Sequence, residues 1–177
     1  MTTYCIIDID TTLANGDHRA SLLMKNEAGQ ILQESWDAFL HPDLMALDHP
    51  QQHACAVLNH LRSLGYIIVF LTGRNEKYRD VTESWLVRHM GAMEDEPVLM
   101  RGPEDVGSPA SVCKLRCLTE FMEQEGQTMH SCNFWFFEDD KHVMQLWRKY
   151  GVVFQCPEAW AYMNPEVPTE QEKAWTR

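Results

Sequence analysis

The chain has little of what membranes, secretion and nucleic-acid tracking require. Its longest apolar run, Tyr66–Leu71, spans six residues, whereas a membrane-crossing helix needs about 20. Near the N-terminus there is no basic stretch ahead of an apolar core and no small-residue cleavage site. No secretory signal is expected, therefore, and the expectation is a soluble, cytoplasmic protein with no membrane association. Basic residues are scarce, with 15 Lys and Arg against 26 Asp and Glu and a net charge of −11. A protein that tracks along duplex nucleic acid carries a basic face, so tight or processive duplex binding is not expected. Recognition of a single phosphorylated end needs only a few local cations and stays open. The six cysteines include no CxxC pair. Zinc would want four ligands at characteristic spacings, and a disulfide scaffold would be smaller and secreted. Free thiols in a reducing compartment are the expectation, including Cys113 and Cys117, one helical turn apart beside Lys114. No internal repeat or low-complexity tract occurs.

What is present is an alternation of strand and helix over 177 residues, 45% of them hydrophobic. That length suits one domain with a sizeable core. Apolar runs at 4–9, 66–71, 97–100, 134–137 and 152–154 read as strands, several of them introduced by Gly or Pro. Between them, Val57, Leu58, Leu61 and Leu64 have helical spacing, as do Val81 and Trp85. Val112, Leu115, Leu118 and Met122 make a third stripe, and Val143, Met144 and Trp147 a fourth. These stripes are read as core faces rather than cofactor boxes. Strands alternating with helices predict an α/β fold, a Rossmann-like three-layer sandwich around a central, mostly parallel sheet. Residues 14–50 break the rhythm with Trp36, Phe39 and two prolines. Loops of that length tend to be lids or substrate elements, so a small helical cap is expected over the site, within a single domain spanning 1–177. The tail after Cys156 is expected to pack through Trp160 and then fray.

The most informative stretch is Tyr4-Cys5-Ile6-Ile7-Asp8-Ile9-Asp10-Thr11-Thr12-Leu13-Ala14. Ligands of open α/β sheets sit beyond the carboxyl ends of buried parallel strands. Asp8 would stand at such an end, with Asp10 following on the loop. Two carboxylates this close repel unless a cation lies between them, and Mg2+ suits one or two carboxylates plus phosphate oxygens. The chemistry this suggests is phosphoryl transfer through an aspartyl-phosphate. Read alone, Asp-x-Asp is equally a turn or a helix N-cap. Two other strand ends carry polar groups. Thr72-Gly73-Arg74 offers a hydroxyl, a close backbone approach and a guanidinium, a plausible phosphate-binding set. Glu138-Asp139-Asp140 is either a solvated loop, an N-cap or, in company with Asp8 and Asp10, the remaining metal ligand and its surroundings. Lys114, near the start of a helix where the dipole disfavours a cation, is a surface residue or a counter-charge to these acids.

Taken in order, Asp8-x-Asp10-x-Thr12, Leu71-Thr72-Gly73-Arg74, Lys114 and Glu138-Asp139 resemble the motifs of the haloacid dehalogenase superfamily over residues 4–156. The resemblance implies a Rossmann-like fold, Mg2+ and phosphatase activity. More narrowly, the chain resembles the 3′-phosphatase domain of phage and bacterial polynucleotide kinase-phosphatases. It does so at Leu13-Ala14 with Asp17-His18-Arg19, at Trp36-Asp37-Ala38-Phe39, at Leu99-Met100-Arg101 and from Met144 to Trp147-Arg148. The resemblance implies Asp8 as nucleophile and Asp10 as acid and base. It implies a metal held by Asp8, the Asp10 backbone carbonyl and Asp139, with Glu138 a further candidate ligand. Thr72 and Lys114 are implied on the phosphate oxygens, and Thr12, Arg19, Gly73, Arg74 and Arg101 on the substrate side. The family pattern is not followed throughout. Thr11 stands where Gly is usual, Glu138-Asp139-Asp140 replaces Asp-Asp-Arg, and Ala110-Ser111 occupies the neighbourhood of an Asp before the lysine. No Gly-rich P-loop of a kinase half occurs.

The partner expected from all this is a phosphorylated nucleic-acid end, with Arg19, Arg74, Arg101 and the Trp36 segment as its contacts. Two alternatives remain: a small-molecule nucleotide phosphatase, which the acidic charge favours, and a degenerate phosphate-binding module that has lost its chemistry.

Overall fold

A computed structural model describes residues 2–29, 31–32, 34–105 and 107–165. In chain order the elements are β1 (Thr3–Ile7), β2 (Ala14–Asn15), a 3-10 helix (Asp17–Leu22), α1 (Ser35–Phe39), α2 (Pro42–Met45) and β3 (His49–Pro50). Then come α3 (Ala54–Ser63), β4 (Ile67–Asn75), α4 (Arg79–Met90), β5 (Val98–Arg101), a 3-10 turn (Pro103–Asp105) and α5 (Ala110–Gln124). The chain continues through β6 (Asn133–Glu138), α6 (Lys141–Trp147), β7 (Val152–Gln155) and α7 (Glu158–Met163). Five strands form one sheet in the order β5-β4-β1-β6-β7, and every pairing in it is parallel. This is the expected Rossmann-like layering, with each of the five strands lying over or within a residue or two of its apolar run.

Because β1 is central, both its faces are buried, and its alternation sorts residues between two cores. Cys5 and Ile7 pack with Ile68 and Phe70 of β4 against α3, α4 and α7. Tyr4 and Ile6 pack with Val69, Leu71, Phe134 and Phe136 against α5 and α6. Aromatic stacking tightens both layers: Phe137 lies 4.9 Å from Trp160, and Phe136 lies 4.6 Å from Trp147, each pair nearly coplanar. Trp160 is fully buried, and its Nε1 donates to the Thr12 carbonyl at 2.7 Å. The expected fraying of the tail falls on 166–177, outside the described residues.

Two expected stripes are corrected. Leu64 is half exposed, because it sits at the C-terminal end of α3 rather than on its core face. On α5 the core face is rotated by one residue. Cys113, Lys114, Cys117, Leu118 and Met122 are buried, while Val112 is 55% exposed and Leu115 only partly covered. The helix turns so that Lys114 faces inward, which leaves Val112 to a shallow groove shared with His142 and Leu146 of α6.

Between β1 and α3 the chain leaves the sheet through a two-stranded antiparallel ribbon, β2 with β3, pairing Ala14 with Pro50 and Asn15 with His49. The short helices between these strands stand over the carboxyl end of the sheet. Among the described residues, no helix is long and apolar enough to cross a membrane.

The turn from α6 into β7 depends on Gly151. A Cβ built there would lie 2.2 Å from the Phe134 carbonyl oxygen, a backbone atom that cannot swing aside. Gly151→Ala is expected to cost about 1–3 kcal/mol, read as a lowered denaturant midpoint with an unchanged slope.

Candidate active site

Asp8 lies one residue beyond β1, its amide donating to the Phe137 carbonyl at 3.0 Å, so it is held level with the end of β6. Lys114 reaches this edge from α5. Its Nζ donates to Asp8 Oδ1 at 2.6 Å and to Glu138 Oε2 at 2.7 Å, and all three side chains are buried. Burial opposes the ammonium charge, but the two carboxylates outweigh it and raise the Lys114 pKa. Lys114 is therefore a counter-charge and not a surface residue.

Asp8, Glu138 and Asp139 each offer a carboxylate oxygen within 4.8 Å of the others. Burial, and after it the Asp8 charge, pushes Glu138 up to about 8 against the pull of Lys114. The same two causes push Asp139 up to about 6. Three crowded acids have one ammonium among them, and burial first, then the surplus negative charge, raises their proton affinity. An all-oxygen donor set of this kind fits a hard divalent cation such as Mg2+.

Asp140, the third acid of the run, does not join them. Its Oδ1 accepts from the His142 and Val143 amides at 2.7 and 3.3 Å and caps α6. Thr12, expected on the substrate side, is fully buried with its hydroxyl donating to Asp139 Oδ1 at 3.4 Å. It orients an acid of the cluster.

The Asp10 carboxylate points elsewhere. Its Oδ1 accepts from Arg19 Nη2 and Arg74 Nη2, both at 2.8 Å, and its Oδ2 accepts from Arg74 Nε at 2.9 Å. The same two guanidiniums grip Asp48: Arg19 Nε and Nη2 donate to it at 2.7 Å each, and Arg74 Nη2 at 3.2 Å. Burial works against ionisation of Asp10, but Arg74 and then Arg19 outweigh it and hold the carboxyl well below the usual carboxylate range. The sequence expectation has Arg19 and Arg74 facing the substrate phosphate. Each is 1% exposed and engaged with two carboxylates, so their first effect is to fix Asp10.

Asp48 is the residue that sequence reasoning missed. It is buried at the far end of the insertion, 29 positions from Arg19, and Trp85 Nε1 holds its backbone carbonyl at 2.8 Å. No local pattern in the sequence signals it. Counted together, the carboxylates of Asp8, Asp10, Asp48, Glu138 and Asp139 face the cations Arg19, Arg74 and Lys114. With all five acids ionised, five against three leaves two negative charges, the complement of one divalent ion; without such an ion, burial and crowding hold Glu138 and Asp139 toward their protonated forms.

Thr72 is buried at the end of the sheet, and its Oγ1 accepts from the Arg74 amide at 3.1 Å. Gly73 has space around it: an added Cβ would come no closer than 4.0 Å to Arg101 Nη2. Arg101 itself serves the loops. Its Nε and Nη1 donate to the carbonyls of Gly73, Asp105 and Ser108 at 3.1, 2.8 and 2.7 Å, contacts that the sequence does not show. Thr11, where glycine is usual in the resembled family, has a φ of 65°, in the left-handed region that favours glycine.

A sequence profile described as the polynucleotide kinase PNKP phosphatase domain matches residues 2–159. Among solved structures, a chain of the Pnkp1/Rnl/Hen1 complex is 20% identical with a TM-score of 0.61, over 88% of this chain and 45% of that one. A chain of the Pnkp1/Rnl/Hen1 RNA repair complex is 21% identical with a TM-score of 0.61, over 88% of this chain and 42% of that one. The chain thus spans less than half the length of those two. A class C acid phosphatase from Bacillus anthracis, solved with tungstate bound, is 18% identical with a TM-score of 0.54, over 98% of this chain and 76% of that one. At these identities the structures are similar in fold. No curated protein matches the chain significantly.

Two substitutions probe the geometry. Asp48→Asn leaves two buried guanidiniums on one carboxylate and is expected to cost about 3–5 kcal/mol in chemical denaturation. Thr11→Gly removes a left-handed β-branched residue, a relief of about 1–2 kcal/mol partly offset by the freer unfolded chain. The net expectation is a gain near 1 kcal/mol, a Tm higher by about 2–4 °C in a thermal scan.

Proposed function

The chain belongs to the family of polynucleotide kinase PNKP phosphatase domains, and from that premise we propose that it removes a terminal 3′ phosphate from nucleic acid through an aspartyl-phosphate on Asp8, with Mg2+ as cofactor. Membership makes it a phosphatase, an enzyme that hydrolyses phosphoesters. The observation that carries the finer reading is the buried pairing of Asp8 with Lys114 beside a cluster of acids at the end of the central strand.

In this mechanism an Asp8 carboxylate oxygen attacks phosphorus in line, and the bond from phosphorus to the sugar oxygen breaks. Water then attacks the phosphorus of the acyl phosphate and frees Asp8. Lys114 has three donors, two of them on Asp8 and Glu138, and the third serves a phosphate oxygen. The Thr72 hydroxyl accepts from Arg74 and donates its proton to another phosphate oxygen. Asp8, Asp139 and the Asp10 backbone carbonyl would hold Mg2+, with Glu138 adjacent. When bound, Mg2+ neutralises charge on the phosphoryl oxygens and orients them.

Asp10 has two tasks, and the arginines bear on both. They keep it ionised in the free site, which suits a base taking a proton from the attacking water. As acid for the leaving sugar oxygen it must first gain a proton, and the negative charge of the arriving phosphate favours that uptake. Arg19 and Arg74 are thus positioning residues that aim Asp10.

A nucleic-acid end as substrate is supported by the family and by the likeness to a chain of an RNA repair complex. It is also supported by aromatic surface on the insertion. Trp36 is half-buried, edge-to-face with Phe39 at 5.7 Å, and the Phe39 ring underlies the Arg19 guanidinium at 4.0 Å. A terminal base stacked there would lie over the Asp10 network. The six cysteines, all free, fit a reducing compartment such as the cytoplasm. The net charge of −11 favours a second reading, a mononucleotide phosphatase.

One assay series tests these readings. With Mg2+, kcat/KM for a 3′-phosphorylated oligonucleotide is expected to exceed that for free 3′- and 5′-mononucleotides, and EDTA is expected to abolish turnover. Asp8→Asn should fall to background. Asp10→Asn should lose about 10²–10⁴-fold on the oligonucleotide and much less on an aryl phosphate, whose leaving group needs no proton. Equal loss on both substrates would remove Asp10 from the acid's role, and preference for mononucleotides would establish the second reading.

A further inference from the structure

A second cluster of side chains able to bind a metal lies next to Lys114 on α5, separate from the acids at the strand ends. Cys113 and Cys117 are one turn apart on the buried face of that helix, and Asp105 comes to them from the 3-10 turn after β5. One ligand atom from each, two sulfurs and a carboxylate oxygen, lies within 4.8 Å of the others, and all three residues are buried. The sequence shows only the two cysteines; the third donor is supplied by the fold.

We infer that Asp105, Cys113 and Cys117 form a binding site for a thiophilic divalent ion, of which Zn2+ is the type. Sulfur donors select against Mg2+ and for Zn2+, Co2+ or Cd2+. The molecule then holds two chemically separate centres, one of oxygen donors only and one of two sulfurs and an oxygen. The Met100 carbonyl accepts from Cys117 Sγ at 3.4 Å and would supply an oxygen for a fourth position.

Charge is the first objection, because Arg116 already pairs with Asp105 and its Nη2 lies 3.8 Å from Cys117 Sγ. That guanidinium has other anchors: Glu104 at 2.6 Å, and both oxygens of Glu120 at 2.7 and 2.8 Å. An ion taking one Asp105 oxygen therefore leaves Arg116 paired. Two thiolates and a carboxylate carry one negative charge more than the ion neutralises, and the Arg116 guanidinium, 3.8 Å from Cys117 Sγ, is the cation beside that excess. The ion would tie the Pro103–Asp105 turn to the helix that carries Lys114, one residue after Cys113.

The test uses the full chain, stripped by chelator and reduced, with Co2+ as probe. One equivalent is expected to produce a sulfur-to-cobalt charge-transfer band in the near ultraviolet, discharged by Zn2+ and unaffected by excess Mg2+. Asp105→Asn is expected to weaken Co2+ binding at least ~10-fold, and the Cys113→Ser, Cys117→Ser double variant to lose the band. A measurement on the unmodified chain guards against misfolding of that variant. Zn2+ should protect Cys113 and Cys117, but not Cys55, from alkylation mapped by mass spectrometry. No band in the wild type, an equal band in a folded double variant, or no selective protection would overturn the site. These readouts do not involve phosphate hydrolysis, so they are independent of the proposed activity.

Discussion

One ammonium organises the carboxyl edge of this sheet. Lys114 binds Asp8 from β1 and Glu138 from β6 at once, out of water, and so locks a helix to two neighbouring strands. Breaking a buried pair of this kind typically costs about 3–5 kcal/mol, which is enough to set the rotation of α5. The rotation is felt all round the helix. It turns Cys113 and Cys117 to the core and Val112 to the rim, and it brings the cysteines to Asp105. The charge that makes the acid cluster tolerable also determines which neighbouring residues of the helix face inward.

The site divides into two electrostatic compartments. In one, acids outnumber cations and proton affinities rise; in the other, two guanidiniums surround Asp10 and its proton affinity falls. Carboxylates two residues apart in sequence are thus driven in opposite directions. Such a divergence suits the proposed roles, Asp8 as nucleophile and Asp10 as acid and base. The separation depends on Asp48, which keeps the guanidiniums in register from the far end of the insertion.

The fold was legible because a parallel sheet buried on both faces writes itself as apolar runs, and the polar groups following Ile7, Leu71 and Phe137 marked its working edge. Lys114 was legible as a choice between two roles that only three dimensions could decide. What could not be read were contacts without local pattern. Asp48 sits between short helical turns with no periodicity, and its partners are 26 and 29 residues away. Arg101 resembles a substrate ligand because a guanidinium gives no sign in sequence of whether its donors will meet phosphates or carbonyls. Hydropathy ranks valine above lysine and so misplaces the α5 stripe; the buried ion pair reverses that order. Thr11 was visible as an oddity, and the backbone angle supplied its physical meaning.

The insertion is fixed at both of its stems, by the β2–β3 ribbon and by the arginine bridge from Asp10 to Asp48. Farther out, the described residues close on one another through the Lys25–Ile31 bridge and the Leu32 amide on the Met24 carbonyl. Lengthening or trimming the chain near the ribbon would drag Asp10 and its two arginines with it, so the spacing of the stems is constrained by the network they carry.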